Sequence, residues 1–179
     1  VQDYVPMRAD MSTTFRIVNG QIVLDRIDLT TDGAKTQLTG VVDAGRWPEQ
    51  TYQIRSKIDF PIEKAIWFAR DRFTVTGTGE FAGTFHLFKE QLPNGQTRTG
   101  RELKGTFASP LAGVNDYRFS NLRGSLLWVP EKMAVTDATA AVYGGDARFS
   151  YTMAPLGRRG LPATATFDAQ YTNVDLTEF

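Results

Sequence analysis

The chain of 179 residues is long enough for one domain, and its composition excludes several classes of function. Lysine plus arginine and aspartate plus glutamate both total 20, so the net charge is zero and nucleic acid is not an expected partner. Cysteine is absent, which excludes disulfides, thiol nucleophiles and thiolate metal sites. The chain opens "VQDYVPMRAD" without a methionine, and we expect residues 1–179 to form a single β-rich domain of a longer repetitive protein.

Alternation of apolar and polar residues predicts about ten antiparallel strands joined by short turns. Turn chemistry is present in "NG" at 19–20, "DG" at 32–33, "PNG" at 93–95 and "GG" at 144–145. Regular alternation occupies "YQIRSKIDF", "DARFSYTM" and "ATATFDAQY", and less regular strands are predicted near 13–19, 21–30, 36–43, 101–108, 117–129 and 133–143. The predicted fold is all-β: an antiparallel meander of about ten strands, curled into an elongated groove or a partly open barrel or sandwich.

Residues 61–70, "PIEKAIWFAR", form the one segment that departs from alternation. Pro61 suits the first turn of a helix, and Ile62, Ala65, Ile66 and Ala69 recur at helical spacing. The segment predicts one short amphipathic helix that covers an open end of the sheet.

Residues 73–88, "FTVTGTGEFAGTFHLF", carry the longest alternation in the chain. At about 3.3 Å per residue such a strand spans roughly 50 Å, whereas strands usually have about 3 to 10 residues. The other side is mostly polar, and we expect its His86 to be solvated. One side carries only apolar residues and glycines: Phe73, Val75, Gly77, Gly79, Phe81, Gly83, Phe85 and Leu87.

The three glycines 77, 79 and 83 are interpreted as places where the sheet bends or another group approaches closely. They do not form a dinucleotide-binding loop, because the third glycine of "GTGEFAG" is one residue late and alternation continues through it. The single histidine and the scattered carboxylates provide no combination of nucleophile, base and orienting group. We therefore predict neither an enzyme nor a metal or cofactor site.

Two basic clusters lie in or around predicted loops. Arg98, Arg101 and Lys104 surround "NGQTRTGREL", and Arg158 with Arg159 occupies a later loop. Most such clusters are only solvated, although either has the charge to meet acidic lipid head groups.

Several phrases of the chain resemble the AsmA-like and TamB superfamily of bacterial envelope proteins. They are "FRIVNGQIVLDRIDLTTDGAKTQLTGVVD", "LKGTF" and "FSNLRGSLLWVPEKMAVTDATAAVYGGDARFSYTMAPL", in which a glycine-started pair of apolar strands leads to "YGG" and a further strand. The resemblance implies an elongated β-groove with an apolar inner face, located in the periplasm and associated with phospholipid transport and outer-membrane assembly. It also implies phospholipid acyl chains and other envelope proteins as partners, with membrane association through parts outside this chain.

Two hypotheses follow for the apolar face. In the first it lines a trough for lipid, and the lipid-facing residues are Tyr52, Ile54, Ile58, Phe73, Val75, Phe81, Phe85, Leu87, Phe149, Tyr151 and Phe167. In the second it packs on another sheet of a protein- or glycan-binding β-sandwich, with Trp47, Trp67 and Trp128 as exposed contacts. Alternation alone favours the hypothesis of a packed sheet. When the family resemblance is added, the two hypotheses are about equally favoured.

Overall fold

A computed structural model describes residues 8–67, 74–92, 95–156, 161–175 and 177. The described residues form ten strands and one α-helix, with a short 3₁₀ turn at Ala44–Arg46. The helix α1 covers Phe60–Trp67. The strands are β1 Ala9–Val18, β2 Gln21–Thr31, β3 Ala34–Val42, β4 Gln50–Asp59, β5 Val75–Gln91, β6 Thr97–Val114, β7 Tyr117–Val129, β8 Lys132–Val142, β9 Gly145–Ala154 and β10 Thr164–Thr172.

All ten strands belong to one antiparallel sheet in which spatial order equals chain order, β1 to β10. The predicted all-β meander with one short helix is therefore confirmed, and the sheet does not close into a barrel. In the described part of the chain, substantial contacts join only consecutive strands, apart from those of α1 with β4 and β5. The expectation that the apolar face packs on a second sheet is wrong, because no second layer of strands is present there.

The molecule exposes far more surface than a compact protein of its mass. Its accessible area is 12559 Å², against about 8,700 Å² for a compact monomer of this size. No large side chain among the described residues is fully buried. A single sheet explains both observations, because each side chain is covered from the sides by its neighbours but not from above.

The helix α1 begins one residue before the predicted Pro61. The Asp59 carboxylate accepts a hydrogen bond from the Ile62 amide at 3.2 Å and so caps the first turn. The ring of Phe60 lies over Gly79 of β5, and Ile62 lies near Gly33. The helix therefore sits at the end of the sheet where β4 ends and β5 begins, as predicted for a covering element.

The largest boundary error concerns β6, which was predicted near 101–108 and in fact covers 18 residues. Residues Thr97–Glu102 pair in register with His86–Gln91, so the predicted "NGQTRTGREL" loop is mostly strand. Neighbouring strands are shorter: β4 ends its pairing with β5 at Leu87, and β7 begins its pairing with β6 at Leu103. The β5–β6 hairpin consequently extends past the sheet as a two-stranded arm.

Bulges keep the apolar residues on one face along the whole meander. Register shifts interrupt the pairing of β1–β2, β2–β3, β5–β6, β7–β8 and β8–β9. Asn121 and Asp137 have φ of 53° in two of these irregular regions, a conformation that asparagine and aspartate tolerate better than most residues. Because a one-residue slip would turn every later side chain to the opposite face, the extra residue at a bulge corrects the alternation.

Candidate functional site

The strand register places a continuous set of apolar side chains on one side of the sheet, which we call the apolar face. Directly opposed residues of antiparallel strands share a face, so the pairing identifies its members. Its large side chains come from all ten strands, and they include Met11, Phe15, Ile17, Ile22, Leu24, Ile27, Leu29, Leu38, Tyr52, Ile54, Ile58, Phe81, Phe85, Leu87, Leu103, Phe107, Phe119, Leu122, Leu126, Trp128, Met133, Val135, Phe149, Tyr151, Met153, Phe167 and Tyr171.

The sequence-predicted lipid-facing residues within the described ranges all lie on this face. Tyr52 opposes Phe85, and the rings of these two residues stack with centroids 6.4 Å apart. Ile54 and Ile58 oppose Gly83 and Gly79. The remaining members are Val75, Phe81 and Leu87 on β5, Phe149 and Tyr151 on β9, and Phe167 on β10. Phe73 lies outside the described residues.

Sequence reasoning missed the contribution of β6 and β7 to the apolar face. Phe107 lies directly opposite Phe81, and Leu126 and Trp128 continue the face on β7. The alternation of Leu103, Gly105 and Phe107 is visible in the sequence, but its alignment with Phe81 depends on the register of the β5–β6 pair. Towards the β10 edge of the same face, the ring centroid of Phe149 lies 6.5 Å from that of Phe119 and 5.6 Å from that of Phe167.

Aromatic rings lie against glycines on the neighbouring strands of the apolar face. A β-carbon at Gly105 would lie 2.7 Å from Phe81 Cζ, and one at Gly124 would lie 2.8 Å from Phe107 Cζ. The Tyr52 ring covers Gly40 in the same way, with a separation of 2.8 Å from its Cδ1 atom. The rings therefore lie flat on the sheet and fill the places that a side chain would otherwise occupy.

The three glycines singled out from the sequence are not bare. Gly79 is covered by the Phe60 ring of α1, and Gly77 and Gly83 face the β6 backbone at Ala112 and Gly105. The group that approaches closely is thus part of the protein itself. A bulky residue at Gly79 would displace α1, so this position cannot be used to narrow a lipid site without disturbing the fold.

Exposure varies greatly along the apolar face. Phe81 near its centre is only 6 % exposed, whereas Phe15 and Phe167 on the edge strands are 56 % and 57 % exposed and Trp128 is 41 % exposed. Burial raises the pKa of the Tyr52 hydroxyl. A contiguous apolar surface of this extent makes the apolar face the candidate binding region of the structure.

The opposite side of the sheet, the polar face, carries charged pairs, including two between neighbouring strands and one within β2. Arg16 contacts Asp25 at 3.0 Å, Arg26 contacts Asp28 at 2.6 Å, and Lys57 contacts Glu80 at 3.3 Å. The hydrogen bond from Arg26 holds the pKa of the Asp28 carboxyl below its usual range. The Asp25, Asp28 and Glu80 carboxylates therefore each contact a basic side chain on the polar face.

The predicted absence of a metal or catalytic centre stays a prediction. His86 lies on the polar face, with its Nε2 atom 3.8 Å from a Glu49 oxygen and its ring 5.2 Å from the Phe88 ring. Among the described residues, no group of three or more histidine, aspartate or glutamate side chains is arranged to hold a metal ion.

The basic residues Arg98, Arg101 and Lys104 all belong to strand β6. They are divided between the two faces of the sheet. Arg98 is held on the polar face by Glu90, at 2.7 Å, and by Glu131 of the β7–β8 turn. Lys104 opposes Thr84 on that same face. Arg101 opposes Leu87 and therefore belongs to the apolar face. Arg158 and Arg159 lie outside the described residues.

Comparison of the chain with models of known protein families, with curated proteins and with solved structures gives no match. Within the described ranges, no helix has both the length and the apolar character needed to cross a membrane.

Proposed function

We propose that the chain binds the acyl chains of lipids on its apolar face, as a lipid-binding or lipid-conducting β-groove segment of a bacterial envelope protein. In this role it takes part in phospholipid transport or outer-membrane assembly in the periplasm. The sequence resemblance to AsmA-like and TamB proteins supports the proposed family and compartment, and the apolar face supports the proposed lipid.

The observation that supports the proposal most strongly is the combination of a continuous apolar face with the absence of a second strand layer in the described part of the chain. An ordinary β-sandwich would place another sheet about 10 Å above such a face. Here the edge residues Met11 and Ile17 are each 71 % exposed. An apolar surface left in water at this scale is stabilised by an apolar ligand.

The apolar face is proposed to bind acyl chains by the hydrophobic effect, without a chemical step. Each acyl methylene removed from water contributes roughly 0.8 kcal/mol, so a chain of a dozen methylenes in contact with the face supplies ample free energy even when only partly buried. The flat rings of Phe81 and Phe107 over Gly105 and Gly124 leave a surface with few projecting side chains. Such a surface suits a flexible acyl chain, because the flat rings present apolar carbon atoms to it.

A protein- or glycan-binding module is the second candidate, and two tryptophans favour it. Trp47 is 62 % exposed beside the 3₁₀ turn, and Trp128 is 41 % exposed on the apolar face. Exposed tryptophans are common anchors of protein interfaces. If the chain is such a module, its partner covers part of the apolar face. Lipid then binds to this face no more tightly than to any other exposed apolar surface.

The experiment measures lipid capture and stability in the same variants. Purified wild-type protein is extracted and its lipids are identified by mass spectrometry, and its affinity for a photo-crosslinkable fatty acyl probe is determined. Phe15→Ser and Phe167→Ser remove exposed rings from the two edges of the apolar face. The two rings are nine strand spacings apart, about 43 Å at 4.8 Å per strand, so they contact different probe molecules. We expect each variant to weaken binding at its own edge about tenfold, since loss of about 1.4 kcal/mol of apolar contact is a factor of ten.

The matched control is Leu111→Ser, because Leu111 is 55 % exposed but opposes Thr78 and so lies on the polar face. Leu111→Ser should bind the probe as tightly as the wild type does. The melting temperatures of Phe15→Ser, Phe167→Ser and Leu111→Ser should all lie within a few degrees of the wild-type value. Lipid-free wild-type protein, or equal loss of binding in Leu111→Ser, would contradict the proposal and leave the interaction module.

A further inference from the structure

The described strand residues of the apolar face include two charged side chains, and both lie at one end of it. Continuing the alternation of Phe85 and Leu87 along β5 leads to Lys89, and continuing Leu103 back along β6 leads to Arg101. Arg101 is directly opposite Leu87, and Lys89 is opposite Thr99. The cations therefore begin where the apolar residues of the central strands end.

Lys89 stands on the two-stranded arm, beyond the pairing of both β4 and β7. Arg101 stands at the base of the arm, where β7 no longer pairs with β6 and where its partner Leu87 makes the last pair with β4. Lys89 and Arg101 are exposed. No carboxylate contacts either side chain in the part of the chain that the structure describes. Arg98 on the same arm differs, because Glu90 and Glu131 neutralise it on the polar face.

The opposite end of the apolar face is chemically different. There the Phe60 ring of α1 covers Gly79, and Val75, Val114 and Tyr117 continue the face without charge. The face thus has a cationic end at the arm and an apolar end at α1. The distance from Phe81 to Leu87 is about 20 Å along β5, about two thirds of the roughly 30 Å hydrocarbon thickness of a bilayer.

We propose that the apolar face binds an anionic lipid in one orientation, with a phosphate-bearing head group at Lys89 and Arg101 and an acyl chain directed towards α1. This inference rests on the proposed function, and it adds the class and direction of the ligand. Arginine presents a planar set of donors that matches phosphate oxygens, and lysine adds a mobile point charge. The aliphatic stems of both residues extend the apolar surface formed by Leu87 and Leu103.

The test compares amphiphiles that share one alkyl chain and differ in the head group. Affinities of wild-type protein for dodecyl phosphate, dodecanol and dodecanoate are measured by calorimetry at low salt. We expect dodecyl phosphate to bind about 25-fold more tightly than dodecanol, since each of the two basic residues contributes roughly fivefold near an anionic lipid group. Raising the salt concentration should reduce this preference, because both cations are exposed.

The variant Lys89→Gln/Arg101→Gln should bind dodecanol as before and lose the preference for dodecyl phosphate. The matched control is Arg55→Gln, which removes an exposed cation of β4 that opposes Gln37 on the polar face. It should keep the preference.

The outcomes separate this inference from the function on which it rests. Equal binding of dodecyl phosphate and dodecanol would overturn the head-group site while leaving the acyl-binding face intact. Dodecanoate binding as tightly as dodecyl phosphate would overturn the phosphate assignment. Persistence of the preference in the double variant would overturn the role of Lys89 and Arg101. Absence of binding by every amphiphile would overturn the proposed function itself.

Discussion

The ring of Phe81 lies directly against Gly105 on the neighbouring strand, with 2.7 Å between Phe81 Cζ and the position of a β-carbon at Gly105. This contact explains how Phe81 becomes 6 % exposed in a sheet that has no second layer of strands above it. The Phe81 ring is buried because it lies flat against the neighbouring strand, without a second layer of strands above it.

Substitution of Gly105 should therefore destabilise the sheet. A β-carbon there meets the Phe81 ring and also the Ala82 carbonyl oxygen, which belongs to the backbone and cannot move away easily. We expect Gly105→Ala to cost about 1 to 3 kcal/mol of unfolding free energy. Urea denaturation measures the change, and Gly45→Ala is the control because its β-carbon would meet only Asp43 Oδ1, at 3.3 Å. Equal stability of the two variants would mean that the ring does not occupy the place described.

The two faces of β5 should respond differently to a charge. Thr78 is exposed on the polar face and opposes Asp59, so Thr78→Lys should change the unfolding free energy by about 0.5 kcal/mol or less. Phe81→Lys places an ammonium group on the apolar face and should cost several kcal/mol. Thermal and chemical denaturation of both variants give the comparison. Equal tolerance would show that the assignment of the faces is wrong.

The Asp28 carboxyl should titrate below its ordinary range, because the Arg26 guanidinium donates a hydrogen bond to it. A carboxyl whose pKa is lowered by folding stabilises the protein above the unfolded pKa, and this contribution is lost as the pH falls through the folded-state value. Carbon-detected NMR titration should show the pKa rising in Arg26→Gln and unchanged in Arg55→Gln. High salt should weaken the effect because the pair is exposed. A carboxyl that titrates normally in the wild type would rule out a persistent pair.

The arm formed by the ends of β5 and β6 should open more readily than the rest of the sheet. Its strand residues 88–91 and 97–100 pair only with each other, whereas Phe81 and Phe107 have paired strands on both sides. The Lys89 amide also donates a hydrogen bond to Glu49 Oε1 at 2.9 Å. Hydrogen exchange of arm amides should therefore be faster than that of amides near Phe81. Arg98→Met should accelerate exchange in the arm alone, since Arg98 ties it to Glu131. Uniform exchange along both strands would contradict this picture.

Most of the secondary structure could be predicted from the sequence by itself. Alternation in "YQIRSKIDF" and "DARFSYTM", turn pairs such as Asn19–Gly20, and the helical spacing after Pro61 identified the elements, because these are local properties of the chain. The start of β6 was misplaced because Gly100 and the threonines near it indicate a loop, while pairing with His86–Gln91 holds them in a strand.

What lies above the apolar face was decided only by the tertiary structure. A period of two assigns Phe81 and Phe107 to a face, but it carries no information about whether a second sheet, a ring on a neighbouring strand or solvent covers them. The same limit applies to the basic cluster. Arg98 and Arg101 are three residues apart in sequence and lie on opposite faces, and only the register with Glu90 and Leu87 shows that one is neutralised and the other stands at the end of the apolar surface.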